Sequence, residues 1–230
     1  MRLLTKIFEF ISKRNVIQVT DRLKISNSAK ISGCKLFGNI EISENVKIAG
    51  GVQIHSESKK VTIGRYSAIN GPNTDIHCYI NSVRIGAFTS IARNVNIQEF
   101  NHNYTGISTY LINKNIFGKS KSLDIHSKGE IIIGNDVWIG AQCVILSGAK
   151  IGNGAIIAAN SVVVGDIPAY AIAAGTPAKV LKFRFDRETI DILESMAWWE
   201  WSIEKIIENE DLFNLKKINS CSLNSYLQND

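Results

Sequence analysis

The sequence predicts an all-β solenoid, a β-helix built from short strands and tight turns, and three observations carry that prediction. Ile133, Ile139, Ile145, Ile151, Ile157 and Val163 recur at an unbroken interval of six. An amphipathic helix needs apolar positions three and four apart and a lone strand alternates by two, so neither produces this interval. A second, smaller inward position repeats in step with it, at Val137, Cys143, Ala149, Ala155 and Ser161. Glycine follows the isoleucine in IGRYSA, IGAFTS and IGNDVW, which suits a corner where a side chain would crowd the turn or a left-handed backbone angle is needed. Each hexad is then one flat side and three hexads complete a triangular coil. Stacked coils bury the isoleucine column and pair their backbones with the coils above and below.

The 230 residues suffice for one large core with appendages. A composition of 45% hydrophobic and 20% charged residues is ordinary for a soluble protein. No run approaches the length of a membrane span, and Met1–Ser12 is too charged for a secretory signal and lacks its cleavage site. A cytoplasmic location is the default expectation. The cysteines at 34, 78, 143 and 221 form no C-x-x-C pair, so neither a zinc site nor a redox pair is expected. Cys143 reads as a small buried apolar residue. A formal charge of +5 favours an anionic ligand such as a nucleotide phosphate and, without clustering, does not point to nucleic acid.

Taken in order, residues 2–12 place Leu3, Leu4, Ile7, Phe8 and Ile11 at helical spacing beside Arg2, Lys6 and Glu9. This is either a helix packed on the end of the coil or a basic amphipathic segment touching a membrane surface through residues 2–14. The beat starts at Ile25 and Ile31, loses phase around Lys35–Ile40 and resumes at Ile42, Ile48 and Ile54, with His55–Lys60 a polar turn extension. Ile63 and Ile69 restart it, an irregularity follows around Pro72, and Ile85, Ile91 and Ile97 run regularly. The beat then stops at Gln98 and returns only at Ile131 or Ile133, a gap of about thirty residues. Excursions of that length from a compact fold are more often functional than idle.

Beyond Val164 the punctuation of Pro168, Gly175 and Pro177 ends the repeat. Asp186 is a candidate cap for a helix running to about Met196, and Ser202 for one through about Leu212 whose Ile203, Ile206 and Ile207 face the coil. Trp198, Trp199 and Trp201 form an aromatic knot that docks these helices. The chain therefore divides into an N-terminal amphipathic helical segment over 1–22, a β-helix domain over 23–180 with an inserted loop at 98–130, a C-terminal helical extension over 181–218 and a flexible tail over 219–230.

His102 sits in the polar insert between regular coils. An imidazole there is a candidate general base, able to take a proton from an alcohol or amine and return it to a leaving thiolate near neutral pH. His55, His77 and His126 read as solvent-facing or capping residues in turns, and no clustered His/Asp pattern supports a metal. No GxxxxGK[ST] occurs, so the glycines are assigned to corners and not to a phosphate loop.

Asn101-His102 with Ser108-Thr109, the block from Ile131 to Val180, FRFDRETIDIL from Phe183 to Leu193, and WWEW from Trp198 to Trp201 give the chain a specific likeness. It resembles the hexapeptide-repeat acyltransferases, the left-handed β-helix family, in the branch of the virginiamycin and chloramphenicol acetyltransferases and related bacterial polysaccharide O-acetyltransferases. The N-terminal hundred residues carry only the generic repeat. The resemblance implies left-handed coils, an obligate homotrimer with active sites between subunits, acetyl-CoA as cosubstrate and His102 as catalytic base. It also implies that Trp138 shapes the site and that amides near Gly140, Ala158 and Ala159 meet the pantetheine arm. Gly175, Thr176, Lys179 and Arg184 would lie near the nucleotide end, where phosphates reward charge-assisted hydrogen bonds. Plain packing is the competing reading for Trp138, and a solvated side chain for Lys179 and Arg184.

The insert from Leu111 to Gly129 is short and polar and lacks tryptophan and proline, and Tyr110-Leu111 stands where the drug-modifying members carry proline after the Ser-Thr segment. Several Asn and Ser suit a sugar, so the expected reaction is O-acetylation of a bacterial saccharide. The alternatives are O-acetylation of a streptogramin or chloramphenicol, N-acetylation of an amino sugar, and a non-enzymatic trimeric scaffold.

Overall fold

The six-residue beat becomes three stacked columns of side chains pointing into a triangular prism. In the computed structural model, which describes residues 14–17 and 22–227, the first face stacks Ile17, Leu36, Ile54, Ile76, Ile97, Ile145 and Val163 in parallel register. The second stacks Ile25, Ile42, Ile63, Ile85, Ile133, Ile151 and Ile167. The third stacks Ile31, Ile48, Ile69, Ile91, Ile139, Ile157 and Ala173. From the second full coil onward these columns are almost wholly shielded from solvent, as are Val137, Cys143, Ala149, Ala155 and Ser161 at the smaller inward position. The chain is thus a mostly parallel β-solenoid, closed by an antiparallel strand, Lys179–Phe183, laid against Ala171–Ala174.

The coil decides two points that the sequence raises. Phase slips by one residue at Lys35–Ile40, as expected: Leu36 takes the column position five residues after Ile31 and six before Ile42, and pairs with Ile54. Leucine substitutes for the isoleucine that marks the beat elsewhere. The corner glycines are not themselves the left-handed residues. A Cβ on Gly134 would fall 2.7 Å from Asn153 Oδ1, and one on Gly152 would fall 2.4 Å from the Ala169 nitrogen. The positive φ sits two residues later, as at Tyr66, Phe88 and Asp136. Close approach of the next coil is therefore what selects glycine at these two positions.

Insertions concentrate at the corner joining the first face to the second. Ser56–Lys60, Cys78–Ser82 and the long excursion after Gln98 all leave the coil there, between the strand residues Ile54, Ile76 and Ile97 and those at Val61, Val83 and Ile131. The next corner, between the second and third faces, receives the C-terminal helices. Arg65 Nη2 donates to the carbonyls of Trp199, at 2.8 Å, and Trp201. Trp198 packs on Phe88 at 4.9 Å and on Phe213 at 5.2 Å. The aromatic knot docks the extension, as the sequence suggests.

Asp186 caps the helix Arg187–Met196 by accepting from the Thr189 amide at 2.8 Å, and Ser202 caps the next by accepting from Lys205 at 3.1 Å. That second helix stops at Glu208 instead of running to Leu212, because the Asn209 side chain donates to the Lys205 carbonyl at 2.7 Å and a separate turn, Glu210–Phe213, follows. Ile207 faces solvent, contrary to expectation. The loose tail expected from 219 is also corrected. Ser220–Leu227 is a helix, held by buried Leu223 and by the Tyr226 hydroxyl donating to Asn209 Oδ1 at 2.8 Å. At the other end, residues 1–13 of the expected N-terminal helix, with nearly all of its membrane-facing stretch, lie outside the described residues. Val16–Ile17 of that segment forms a strand on Lys35–Leu36. No helix among the described residues is long and apolar enough to cross a membrane.

Ile139→Ala is expected to destabilise by about 2–5 kcal/mol, because the column above and below cannot collapse into the void. Gly152→Ala should also destabilise by forcing adjacent coils apart, whereas Arg84→Ala on the outward side should stay within roughly 0.5 kcal/mol. Thermal and denaturant unfolding of the three variants checks the ranking.

Candidate active site

The excursion is a folded unit with its own scaffold. Its legs form a short antiparallel ladder, in which Asn101 faces His126 and His102 faces Ile125. The outgoing leg is tied to the coil by Asn101 Nδ2, which donates to Ser147 Oγ at 3.0 Å. Between the legs lie a helical turn, Ile112–Asn115, and a 3-10 turn, Lys121–Leu123, capped by Ser120. Asp124 holds them together. Its Oδ1 accepts from the Asn113 amide at 3.0 Å and from Asn113 Nδ2 at 2.8 Å, and its Oδ2 accepts from the Lys114 amide at 2.8 Å. Its carbonyl accepts from the Asn103 amide at 2.8 Å, one residue past His102. Burial raises the carboxyl's pKa, but the amides it accepts from outweigh this and hold it below the ordinary aspartate value.

His102 is exposed at the base of this unit. Its Nδ1 lies 2.6 Å from the Thr109 carbonyl oxygen. A carbonyl only accepts, so Nδ1 carries the proton and the lone pair of the neutral ring is at Nε2. The imidazole is thus fixed in one tautomer with its basic nitrogen turned away from the bond that orients it.

The insert's polar residues are largely spent within it. Asn113 and Asp124 bind one another, Ser120 and Ser122 share a hydrogen bond of 2.7 Å, and Asn103 Oδ1 accepts from the Thr105 amide at 3.0 Å. Many of its apolar side chains point outward: Tyr104, Ile107, Tyr110, Ile116, Phe117 and Leu123 are exposed, whereas Phe100 and Ile125 are buried. The surface beside His102 is therefore more apolar than the composition of the insert suggests.

The other expected site residues lie elsewhere on the prism. Trp138 stands outward on the third face, 56% exposed and uncovered by its own chain. It borders a hollow of about 390 Å³ with Phe88, Ser90, Ile156 and Arg184. Gly140, Ala158, Ala159, Gly175 and Thr176 line the corner joining the third face to the first, with Lys179 opposite Ala174 on the returning strand. The amides of Gly140 and Ala158 are committed to the carbonyls of Ile157, at 2.8 Å, and Ala173, at 2.9 Å. Ala159 is exposed and its amide enters no such bond among the described residues, so it is the one of the three left to donate to a ligand. Lys179 is exposed.

Arg184 is engaged within its own chain. Its Nη1 donates to the Gly154 carbonyl at 2.7 Å and pairs with Asp136 at 3.3 Å, and its guanidinium lies 5.3 Å from the Tyr170 ring centre. Burial raises the Asp136 carboxyl even beside that cation. These contacts fasten the returning chain to the corner that bears the helices.

His55 and His77 are not turn residues. They stand on successive strands of the first face in a ladder of rings: Phe37 to His55 at 4.6 Å, His55 to His77 at 5.6 Å, His77 to Phe100 at 4.9 Å. Burial, reinforced by the Lys121 ammonium, holds His77 below the ordinary imidazole value. His126 lies edge-on to Tyr104 at 5.3 Å. Sequence reasoning missed this ladder, and also Thr109 and Asp124. The in-register spacing of His55 and His77 was a signal for the ladder, whereas an orienting backbone carbonyl leaves none.

A family description, bacterial transferase hexapeptide with six repeats, matches residues 130–165. A probable macrolide acetyltransferase of Lysinibacillus sphaericus is 40% identical over 154 residues, which are 64% of this chain and 84% of that protein. A chloramphenicol acetyltransferase of Escherichia coli is 33% identical over 175 residues, 66% of this chain and 81% of that protein. Among solved structures, a galactoside acetyltransferase in complex with coenzyme A is 31% identical, with a TM-score of 0.51 over 64% of this chain and 66% of its own.

Because the Asp124 carboxyl is depressed on folding, its stabilising contribution is present above the ordinary aspartate value and is lost as pH falls through the lowered one. Amide exchange at Asn113 and Lys114 should stay slow from pH 7 down to about the unperturbed value of 3.8 and accelerate only below it. Asp124→Ala should show fast exchange there already at pH 7 while the coil amides stay protected.

Proposed function

The chain belongs to the hexapeptide-repeat β-helix acetyltransferases, and from that premise we propose that it is an acetyl-CoA-dependent O-acetyltransferase with His102 as general base. Its proposed acceptor is the hydroxyl of a bulky, largely apolar xenobiotic of the macrolide or chloramphenicol class. The observation that carries the reaction type is the Nδ1–H bond to the Thr109 carbonyl, which leaves Nε2 free to accept a proton. Nε2 takes the acceptor's hydroxyl proton and the oxygen attacks the thioester carbonyl. The C–S bond breaks as the intermediate collapses, and the thiolate takes the proton back from Nε2. No side chain of this chain needs to be acetylated on the way.

The choice of acceptor rests on the insert's outward face, where Tyr104, Ile107, Tyr110, Ile116 and Phe117 offer rings and branched chains instead of paired hydroxyl partners. Similarity to a macrolide and a chloramphenicol acetyltransferase supports the same reading. A saccharide hydroxyl is the second reading, favoured by the likeness to the galactoside acetyltransferase.

Acetyl-CoA is assigned to the corner of Ala159, Gly175, Thr176 and Lys179, with Trp138 beside it. That corner and the corner bearing His102 are different edges of one prism, since the hexads of the first face separate them. A complete site then requires His102 from one copy and the cosubstrate edge from the next, which a homotrimer with parallel coil axes supplies three times. The uncovered indole of Trp138 fits that arrangement.

Thiol release from acetyl-CoA, measured with a macrolide, chloramphenicol, galactosides and nucleotide sugars, tests both readings. Release with a macrolide or chloramphenicol is expected, and His102→Ala should lower it by about 10²–10⁴-fold without loss of acetyl-CoA binding. Turnover confined to the sugars would replace the xenobiotic reading with the saccharide one.

A further inference from the structure

Lys121 has no part in the chemistry above, yet few charged side chains in the protein are so enclosed. Its side chain is 12% exposed. Its Nζ donates to Glu57 Oε1 at 2.8 Å and lies 4.6 Å from the ring centres of both Phe100 and Tyr79. A lysine is found inside a protein almost only where a partner compensates its desolvation. Here a carboxylate and two ring faces do so together.

The origins of those four groups are what matter. Glu57 lies on the Ser56–Lys60 extension and Tyr79 on the Cys78–Ser82 extension, each from a preceding coil. Phe100 lies on the outgoing leg of the excursion, two residues before His102. Lys121 opens the 3-10 turn of the return leg, ahead of Asp124 and of Ile125, the register partner of His102. One ammonium thus joins both legs of the excursion to the coil, on either side of the histidine. The attachment is built from below as well. Buried Glu99 accepts from the amides of Tyr79 and Ile80 at 3.0 and 2.9 Å and from Asn81 Nδ2 at 3.1 Å, and Asn81 Nδ2 also reaches Ser127 Oγ at 3.1 Å. His77 Nε2, without a hydrogen-bond partner, lies 3.6 Å from the same Glu57 Oε1.

We propose that Lys121 is a positioning residue for His102: its ammonium, clasped between Glu57, Tyr79 and Phe100, sets where the imidazole stands relative to the coil. The inference rests on the reading of His102 as general base. Losing the clasp leaves the hydrogen bonds inside the excursion intact but frees the unit to shift on the coil. Acetyl transfer needs the hydroxyl, Nε2 and the thioester aligned, so a shift of about 1 Å costs up to a hundredfold in rate. The cosubstrate edge lies on another corner and is untouched.

The test compares Lys121→Met, Lys121→Arg, Glu57→Gln and the Met/Gln double variant with the full-length protein. Lys121→Met is expected to lower kcat by roughly tenfold or more while the KM for acetyl-CoA stays nearly constant. Lys121→Arg, which keeps the charge, the carboxylate pairing and the ring stacking, should restore most of the rate. The double variant should fall no further than the worse single one, because both act through one contact. Hydrogen exchange supplies a readout independent of turnover: in Lys121→Met the amides of 100–103 and 122–126 should exchange faster while the coil amides do not. Unchanged kcat and exchange in Lys121→Met would overturn the inference, as would an Arg variant no better than Met, or a rate loss that merely follows the melting temperature of the whole coil. Should the wild-type protein release no thiol with any acceptor, the reaction assigned to His102 fails on its own and the exchange comparison still decides the clasp.

Discussion

Everything in this protein depends on the parallel hydrogen bonding of one coil to the next. Neighbouring strands lie about 4.8 Å apart, so an inward side chain has its own kind directly above and below it, and the isoleucine columns follow from that register. The same spacing explains the polar residues in the core. Ser67 Oγ, Thr89 Oγ1 and Ser161 Oγ donate to carbonyls of Gly86, Gly134 and Ala158 at 2.7, 2.8 and 2.6 Å, so buried hydroxyls at the second inward position are satisfied by corner backbone. Asparagine does the same outside: Asn153 Oδ1 accepts from the Asn135 amide at 2.8 Å, and Asn135 Oδ1 from the Ala87 amide at 2.7 Å. Small residues sit where coils touch and short polar side chains where a corner leaves an amide over.

A solenoid under that constraint accommodates extra chain only at corners, because an insertion within a flat side would turn the isoleucine column outward. Three insertions share one corner and are built on one another, with Glu57 and Tyr79 of the two short ones meeting Phe100 and Lys121 of the long one. The neighbouring corner is taken by the helices through Arg65, Arg184 and Trp198. The third is left with small residues at Gly140, Ala158, Ala159 and Gly175, an edge flat enough for an extended molecule to lie along. Division of labour among the corners is thus a consequence of where the coil tolerates change.

The coil was legible in the sequence because its determinant is local and repeats: Ile133 through Val163 announces itself within thirty residues. Asp186 and Ser202 were legible as caps for the same reason, since a cap acts on an amide three residues away. What escaped depends on residues distant in sequence. Lys121 meets Glu57 across 64 positions, and Arg184 looked like a free cation because Asp136 and Gly154, its actual partners, lie 48 and 30 residues back. The tail read as loose because its polar composition hid Leu223 and Tyr226, which Asn209 and the first C-terminal helix hold in place. Thr109 acts through its backbone carbonyl, which every residue possesses.

That carbonyl also bears on the chemistry. A carboxylate behind Nδ1 would fix the tautomer and, in addition, stabilise the imidazolium that forms when the base takes its proton. A backbone carbonyl fixes the tautomer with a dipole alone. Asp124 accepts from Asn113 and Lys114, while the ring bonds to the Thr109 carbonyl. The excursion spends the side chains of Asn103, Asn113, Ser120 and Asp124 on its own shape, and with that shape it fixes where the imidazole stands.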